Sequence, residues 1–202
     1  MMRHAPMLLA IAATALLAAC ASAPLHYYTL LPGSSAPVAD PATAIPFEVL
    51  TVNVPAQVDR PQLVVRQGGQ SVALLEGERW IAPLADEVRG ALAADLVRAL
   101  PGRGVGGMAA SGKPLLQVSL DVRRFDSQPG DHALLEGAWR VRWSHDGQLA
   151  TESCSSRIRE TVGPGYDALV QGHQQALGKL AGQIAEVARA LASGHSARCP
   201  EG

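Results

Sequence analysis

The dipeptide Asp146-Gly147, which lies between two alternating stretches of polar and apolar residues, constrains the fold most strongly. Both positions tolerate the positive φ that a two-residue turn requires, so the sequence predicts an antiparallel hairpin. Pairing His145 with Gln148 collects apolar side chains on one face: Trp143 opposite Ala150, Trp139 opposite Cys154, and Leu135 opposite Ile158. Arg140 and Arg142 share the other face with Ser153 and Thr151, and Val141 opposite Glu152 is the misfit. A slip of one residue would expose the tryptophans to water, which favours this register.

Shorter apolar and alternating stretches predict the other strands. Residues 47–54 have the pattern of a strand covered on both faces. Residues 63–66 and 71–75 flank Gly68-Gly69 and predict a second hairpin, and residues 116–122 alternate as a half-buried strand does.

Two helices complete the pattern. The first is expected to open around Trp80, with Pro83 in its first turn, and its apolar stripe repeats every four residues: Leu84, Val88, Leu92, Leu96 and Leu100. The second covers about residues 166–191 and carries His173 on its apolar stripe, where we expect a partly buried structural histidine. The glycine-rich residues 102–112 lack the Lys-Ser/Thr of a phosphate-binding loop and predict a plain loop.

The first twenty residues have the organisation of a secretory signal peptide. Arg3 precedes a short apolar run that ends in Leu17-Ala18-Ala19-Cys20. This ending resembles the bacterial lipobox, which implies cleavage before Cys20 and acylation of that residue. The apolar run is shorter than the roughly 18 residues that span a bilayer. In the resembling lipoproteins an aspartate directly after the cysteine favours retention at the inner membrane, so Ala21 and Ser22 favour the periplasmic face of the outer membrane.

Cleavage before Cys20 divides the chain into four parts. Residues 1–19 are the signal peptide, and their removal leaves 183 of the 202 residues, enough for one domain. Residues 20–45 are rich in proline, glycine and serine, so we expect the lipidated cysteine and a flexible tether here, with residues 26–30 as a β-favouring patch that docks on the domain edge. Residues 46–194 form the domain, and residues 195–202 form a C-terminal tail.

Two cysteines remain in the mature chain, Cys154 and Cys199. The periplasm is oxidising, so this even pair predicts a disulfide. A metal site is the competing interpretation and is not favoured, because neither cysteine has a second Cys or a His at ligand spacing. No metal or other cofactor is expected.

Composition and motifs exclude several classes of function. Without Arg3 the mature chain has 16 basic and 18 acidic residues and no basic stripe, so nucleic-acid binding is not expected. The chain lacks the Gly-x-Ser-x-Gly and His-Glu-x-x-His patterns of common hydrolases, and its acidic residues are scattered. We therefore expect no catalytic residues.

Several short motifs, in order, resemble one known family, the ABC-type transport auxiliary lipoproteins (PqiC-like lipoproteins). The motifs are Tyr27-Tyr28-Thr29-Leu30, Asp59-Arg60-Pro61-Gln62-Leu63-Val64-Val65-Arg66, Arg79-Trp80-x-x-Pro83-Leu84, Leu100-Pro101-Gly102 and Gly137-Ala138-Trp139. The resemblance covers roughly residues 26–191.

The resemblance implies an α/β (α+β) fold, a single domain whose mixed β-sheet is flanked by two main helices, similar to the anticodon-binding-like fold of the TolB N-terminal domain. It also implies a non-enzymatic role beside an MCE-domain protein and the subunits of an ABC lipid transporter, with phospholipid as a further partner. The sequence leaves open whether the domain contacts lipid directly and whether it forms a homo-oligomer. Alternative functions are a structural lipoprotein that organises the outer membrane or cell wall and, less favoured, a periplasmic hydrolase.

Polar positions of the second motif are the candidate partner surface. Asp59, Arg60 and Gln62 flank Pro61, whose fixed φ stiffens the segment that presents them, and Arg66 follows on the same strand. The competing interpretation of these residues is a solvated entry to a strand.

Overall fold

The computed structural model describes residues 24–33, 45–100 and 115–200. It contains seven strands and two helices in these ranges. Their bounds are β1 (His26–Tyr28), β2 (Phe47–Asn53), β3 (Gln62–Arg66), β4 (Val72–Trp80), α1 (Leu84–Ala99), β5 (Leu115–Gln128), β6 (His132–His145), β7 (Gln148–Thr161) and α2 (Tyr166–Ala192). The predicted glycine-rich loop, residues 102–112, and the lipobox lie outside the described residues.

The predicted α+β class with two main helices is confirmed, and the strands are divided between two mixed sheets. One sheet has the order β1-β4-β3, and the other has the order β2-β5-β6-β7. Each contains one parallel pair, β1 with β4 and β2 with β5, and is otherwise antiparallel.

Both helices cover the same face of the four-stranded sheet. α1 packs against β2 and α2, and α2 packs against β6 and β7. The predicted stripe of α1 is buried at all five positions, from Leu84 to Leu100. Since the helices fill only one face, the other face of this sheet carries no helix among the described residues.

The register of the central hairpin is confirmed at every predicted pair, from His145 with Gln148 to Leu135 with Ile158. The turn residues Asp146 and Gly147 have φ values of 48° and 77°, as a two-residue turn requires. Trp139 is buried and donates a hydrogen bond from Nε1 to Ser156 Oγ over 2.8 Å. The tryptophan therefore buries its apolar surface, and its one hydrogen-bond donor has a partner.

Helix α1 begins later than expected. Trp80 does not open the helix, because it is the last residue of β4, which extends five residues beyond the predicted strand end at Leu75. Pro83 is the N-terminal cap of the helix instead of a residue in its first turn. The extended strand lets Trp80 pair with Tyr28 of β1, and Trp80 is buried there.

Close approach between α2 and the sheet depends on glycine. A Cβ on Gly172 would lie 2.3 Å from Val162 Cγ1 and 3.0 Å from Ala133 Cβ. The helix can therefore lie directly on the chain around Ala133 and Val162 only with no side chain at this position.

The N-terminal segment is part of the folded domain. After β1, the side chain of Leu30 is completely buried, and its backbone N–H donates to Glu87 Oε2 over 2.7 Å. Thr29 Oγ1 donates to the same carboxylate oxygen over 2.8 Å. The patch at residues 26–30 thus docks on the domain edge, and within the expected tether of residues 20–45 this part of the chain is fixed rather than flexible.

Candidate interaction surfaces

His173 is a buried structural histidine, as expected. Its ring stacks on Phe125 with centroids 3.9 Å apart, and its Nε2 lies 2.8 Å from Ser127 Oγ. Burial lowers the pKa of His173 to about 3, so the ring is neutral at neutral pH. Its packing is that of a core residue.

The predicted disulfide between Cys154 and Cys199 is present. It joins the C-terminal tail to β7, an edge strand of the four-stranded sheet. Glu152 lies beside the two sulfurs, and these three residues are the only metal-ligand grouping in the described ranges. Because the sulfurs are bonded to each other, the grouping offers a metal only one free ligand, the Glu152 carboxylate.

The candidate partner residues lie at one edge of the three-stranded sheet. Asp59 and Arg60 are exposed in the loop before β3, and Gln62 and Arg66 are half-buried on β3. Gln62 donates to Glu76 Oε2 over 3.0 Å, and Arg66 is paired with Asp126 of β5. The structure thus brings the four residues to one region, and within the described ranges the side chains of Asp59 and Arg60 form no hydrogen bond or ion pair.

The loop that presents Asp59 and Arg60 is ordered by its own backbone. The N–H groups of Val58 and Asp59 both donate to the Pro55 carbonyl, and the Arg60 N–H donates to the Val58 carbonyl over 2.8 Å. A loop with three internal hydrogen bonds loses little conformational entropy when it binds a partner.

A groove of about 390 Å³ lies next to this loop, where the two sheets meet. Its apolar side is formed by Val64, Val72 and Leu74, and the last two are about half exposed. Its polar lining is formed by Arg66, Arg123, Arg124 and Asp126, and Asp126 is paired with Arg66 and Arg124. The groove therefore combines apolar side chains with three guanidinium groups and one carboxylate.

The uncovered face of the four-stranded sheet carries two arginines held by neutral acceptors. Arg140 Nε donates to Ser153 Oγ over 3.2 Å, and Arg142 Nε donates to Gln117 Oε1 over 3.0 Å. Neither arginine forms an ion pair with a carboxylate of the described residues. A shallow depression of about 720 Å³ beside Arg140 is also lined by Asp121 and Arg123. The sequence placed Arg140 and Arg142 on one face but did not indicate the depression.

Sequence reasoning missed an apolar patch at the start of the domain. Leu25, Tyr27 and Ile81 are large apolar side chains with high exposure. The sequence signal that could have indicated this patch was the alternate spacing of the apolar residues Leu25 and Tyr27, shortly before Leu30. None of the helices in the described ranges is long and apolar enough to cross a membrane.

Two solved structures share this fold. An uncharacterised protein aligns with a TM-score of 0.60 and 22% identity, over 81% of this chain and 97% of its own. Protein XCC0632 from Xanthomonas campestris aligns with a TM-score of 0.53 and 16% identity, over 81% of this chain and 93% of its own. At these identities the likeness concerns the fold alone.

By sequence, the family model described as "ABC-type transport auxiliary lipoprotein component" matches residues 28–185. No curated protein matches the chain. The matched range begins in β1 and ends in α2, so it includes both sheets and both helices.

Proposed function

The chain belongs to the ABC-type transport auxiliary lipoprotein family, and from that membership we propose a lipid-anchored periplasmic protein that binds an MCE-type ABC lipid transporter without catalysing a reaction. The observation that carries the proposal is the extent of the family match, which runs from the last residue of β1 into α2. The proposed role is binding, because the matched family is one of auxiliary components of transport systems.

The anchor is the proposed triacylated Cys20 at the periplasmic face of the outer membrane. Leu17-Ala18-Ala19-Cys20 supplies the motif, and Ala21 supplies the sorting signal. Each buried CH₂ of an acyl chain contributes about 0.8 kcal/mol, so one chain binds a membrane only marginally while several chains hold the protein durably.

The partner surface is the loop before β3, with Asp59 and Arg60 as its contact residues and Gln62 and Arg66 at its border. Its support is the exposure of Asp59 and Arg60 on an ordered loop. The adjacent groove, which combines Val72 and Leu74 with three arginines and one carboxylate, suits a partner segment that is both apolar and acidic.

Phospholipid is the second proposed partner, through Arg140 and Arg142 on the uncovered face of the four-stranded sheet. A phosphodiester accepts paired hydrogen bonds from a guanidinium group, which makes arginine well suited to bind it. Because neither arginine forms an ion pair with a carboxylate in the described ranges, their charge is available to such a headgroup.

Co-purification from native membranes tests the proposal. We expect the detergent-extracted full-length protein to retain MCE and transporter subunits, and a D59A/R60A variant to lose most of them. Arg89→Ala is the matched control, because Arg89 is an exposed arginine in an ion pair on α1, away from the loop. Lipid extraction of the same samples should find less phospholipid with an R140Q/R142Q variant.

The outcomes separate the competing functions. Recovery of peptidoglycan or outer-membrane assembly proteins in place of transporter subunits would favour the structural lipoprotein. Turnover of a periplasmic substrate by the purified protein, without any transporter subunit, would favour the hydrolase. Equal loss of partners with D59A/R60A and R89A would contradict the assigned surface.

A further inference from the structure

Three large apolar side chains lie exposed beside the point where the N-terminal segment joins the domain. The exposed fractions are 46% for Leu25, 55% for Tyr27 and 61% for Ile81. Leu25 directly precedes the edge strand β1, and Tyr27 lies within it. Ile81 directly follows β4, the strand that pairs with β1. We call these three residues the N-terminal apolar patch.

The three side chains of the patch lie on the same face of the β1–β4 pair. Leu25 and Tyr27 are two residues apart in extended chain, so they point to the same side. Tyr28 and Trp80 are register partners, and Trp80 points into the core. Tyr27 and Ile81, each one residue away from that pair, therefore point outward together.

The patch is held rigidly to the domain. The Ile81 N–H donates to the Tyr28 carbonyl over 2.9 Å, which closes the β1–β4 pair at its end. Tyr28 OH donates to Glu78 Oε2 over 2.7 Å, and Leu30 is fixed in the core through Glu87. An exposed apolar surface on a fixed scaffold keeps one orientation, unlike the same residues on a free tether.

The length of chain before the patch limits what can cover it. Leu25 is five positions after Cys20, and a fully extended chain spans at most about 3.6 Å per residue, so Leu25 lies within about 18 Å of the cysteine. With Cys20 acylated, a condition that rests on the proposed function, Leu25 stays within this distance of the bilayer to which the acyl chains are anchored. We propose that the N-terminal apolar patch docks on that bilayer and sets the orientation of the domain.

The charges around the patch are compatible with a lipid surface. Glu78 accepts hydrogen bonds from both His26 and Tyr28, and Glu76 forms an ion pair with Arg79. These pairings leave no unpartnered carboxylate beside the patch on β1 or β4 to repel phosphate groups. A tyrosine flanked by aliphatic side chains suits the headgroup boundary, where its ring is partly dry and its hydroxyl is wet.

This orientation also places the Asp59–Arg60 loop. β1 and β3 are the two edges of the three-stranded sheet. Only β4 separates these edges, and the Trp80 N–H donates to the Pro61 carbonyl over 2.8 Å. The Asp59–Arg60 loop therefore lies near the patch, at the same end of β4, and a partner bound there would lie near the membrane surface.

Photo-crosslinking in the intact envelope tests this contact. The full-length protein would carry p-benzoylphenylalanine in place of Tyr27 or Ile81, with the same replacement of Leu149 as the control. Leu149 is also a large exposed apolar residue, but it lies beside the β6–β7 turn. We expect phospholipid adducts at positions 27 and 81, detected by peptide mass spectrometry, at severalfold higher yield than at position 149.

A longer tether supplies a second measurement. A flexible Gly/Ser insertion of about 20 residues between Ala23 and Pro24 lengthens the connection roughly fivefold, and effective concentration falls with about the −3/2 power of length. Lipid adducts at position 27 should then fall by about tenfold. An unchanged yield would show that the anchor does not direct this contact and would overturn the proposal.

The remaining outcomes also decide the matter. Protein adducts at positions 27 and 81, or equal lipid adducts at position 149, would contradict the docking while Cys20 acylation stands. The mass of the N-terminal peptide from the same samples shows directly whether Cys20 is acylated. An unacylated Cys20 would contradict both the anchor and the docking, and so distinguishes the two failures.

Discussion

Arg66 Nε donates a hydrogen bond to Asp126 Oδ1 over 2.5 Å, and this ion pair joins the three-stranded sheet to the four-stranded sheet. Arg124 reaches the other oxygen of the same carboxylate over 3.0 Å. Burial raises the pKa of Asp126, but the hydrogen bonds and charges of the two arginines outweigh this effect and hold it below its usual value. Arg66, a candidate partner residue, is therefore occupied in joining the two sheets.

Replacement of Arg66 should destabilise the fold. We expect Arg66→Ala to lower the free energy of unfolding by about 1–3 kcal/mol, because it removes one partner of a mostly buried carboxylate. Urea unfolding at neutral pH measures this change. Arg60→Ala, at an exposed position, should stay within about 0.5 kcal/mol of the parent protein. Similar effects of the two substitutions would contradict the structural role of Arg66.

Loss of the disulfide should also lower stability. Cys154 and Cys199 are 45 residues apart, and chain-entropy arguments give at most roughly 4 kcal/mol for a loop of this length. We expect a loss of about 2–4 kcal/mol for C154A/C199A in urea unfolding. The reducing agent that destabilises the parent protein should leave the variant unchanged. Two free thiols in protein isolated from the periplasm would refute the bridge.

Two glycines of α2 offer a matched comparison. Gly172→Ala forces a Cβ against Val162 and Ala133, so we expect a loss of about 1–3 kcal/mol, as in other overpacked cores. Gly182→Ala has nothing within 4 Å of the added Cβ and should stabilise the helix by about 0.5–1 kcal/mol. Thermal or urea unfolding of both variants provides the measurement. The same sign for both would show that the helix lies further from the sheet at Gly172.

Stability should fall in mild acid because of His173. Burial lowers its pKa to about 3; the neighbouring Asp126 opposes this shift and His132 adds to it. The unfolded state binds a proton on this imidazole below about pH 6.5, whereas the folded state does not until near pH 3. The free energy of unfolding should therefore decrease from pH 6.5 downward, by up to about 1.4 kcal/mol per pH unit.

The variant His173→Gln isolates this contribution. Glutamine retains a polar group for Ser127 but does not titrate, so its stability should depend less on pH between 6.5 and 4. Urea unfolding of both proteins at several pH values gives the two slopes. Other titrating groups are common to both chains, so parallel slopes would assign the acid sensitivity to them and contradict the role of His173.

Local patterns predicted the parts of the fold that depend on neighbouring residues. The β6–β7 register follows from Asp146-Gly147 and the parity of Trp139 and Trp143, and it is confirmed pair by pair. The division into two sheets depends on long-range pairings and on irregularities such as the shift between Gln62 and Leu63, which alternation alone does not reveal.

The same limit applies to the candidate surfaces. Sequence reasoning identified the segment around Pro61, but it gave no way to separate the exposed Asp59 and Arg60 from Arg66, whose partner is 60 residues away. The N-terminal patch was missed for a similar reason. Its third member, Ile81, is brought beside Tyr27 only by the parallel pairing of β1 with β4.

The hydrogen bond between Leu30 and Glu87 spans 57 residues, and this separation has a consequence for biogenesis. In the proposed export from the N-terminus, residues 24–31 have no strand or helix to join until β4 and the first turn of α1 have also emerged. Docking of β1 is therefore a late step. The proposed acylation and cleavage at Cys20 fall in the interval before it.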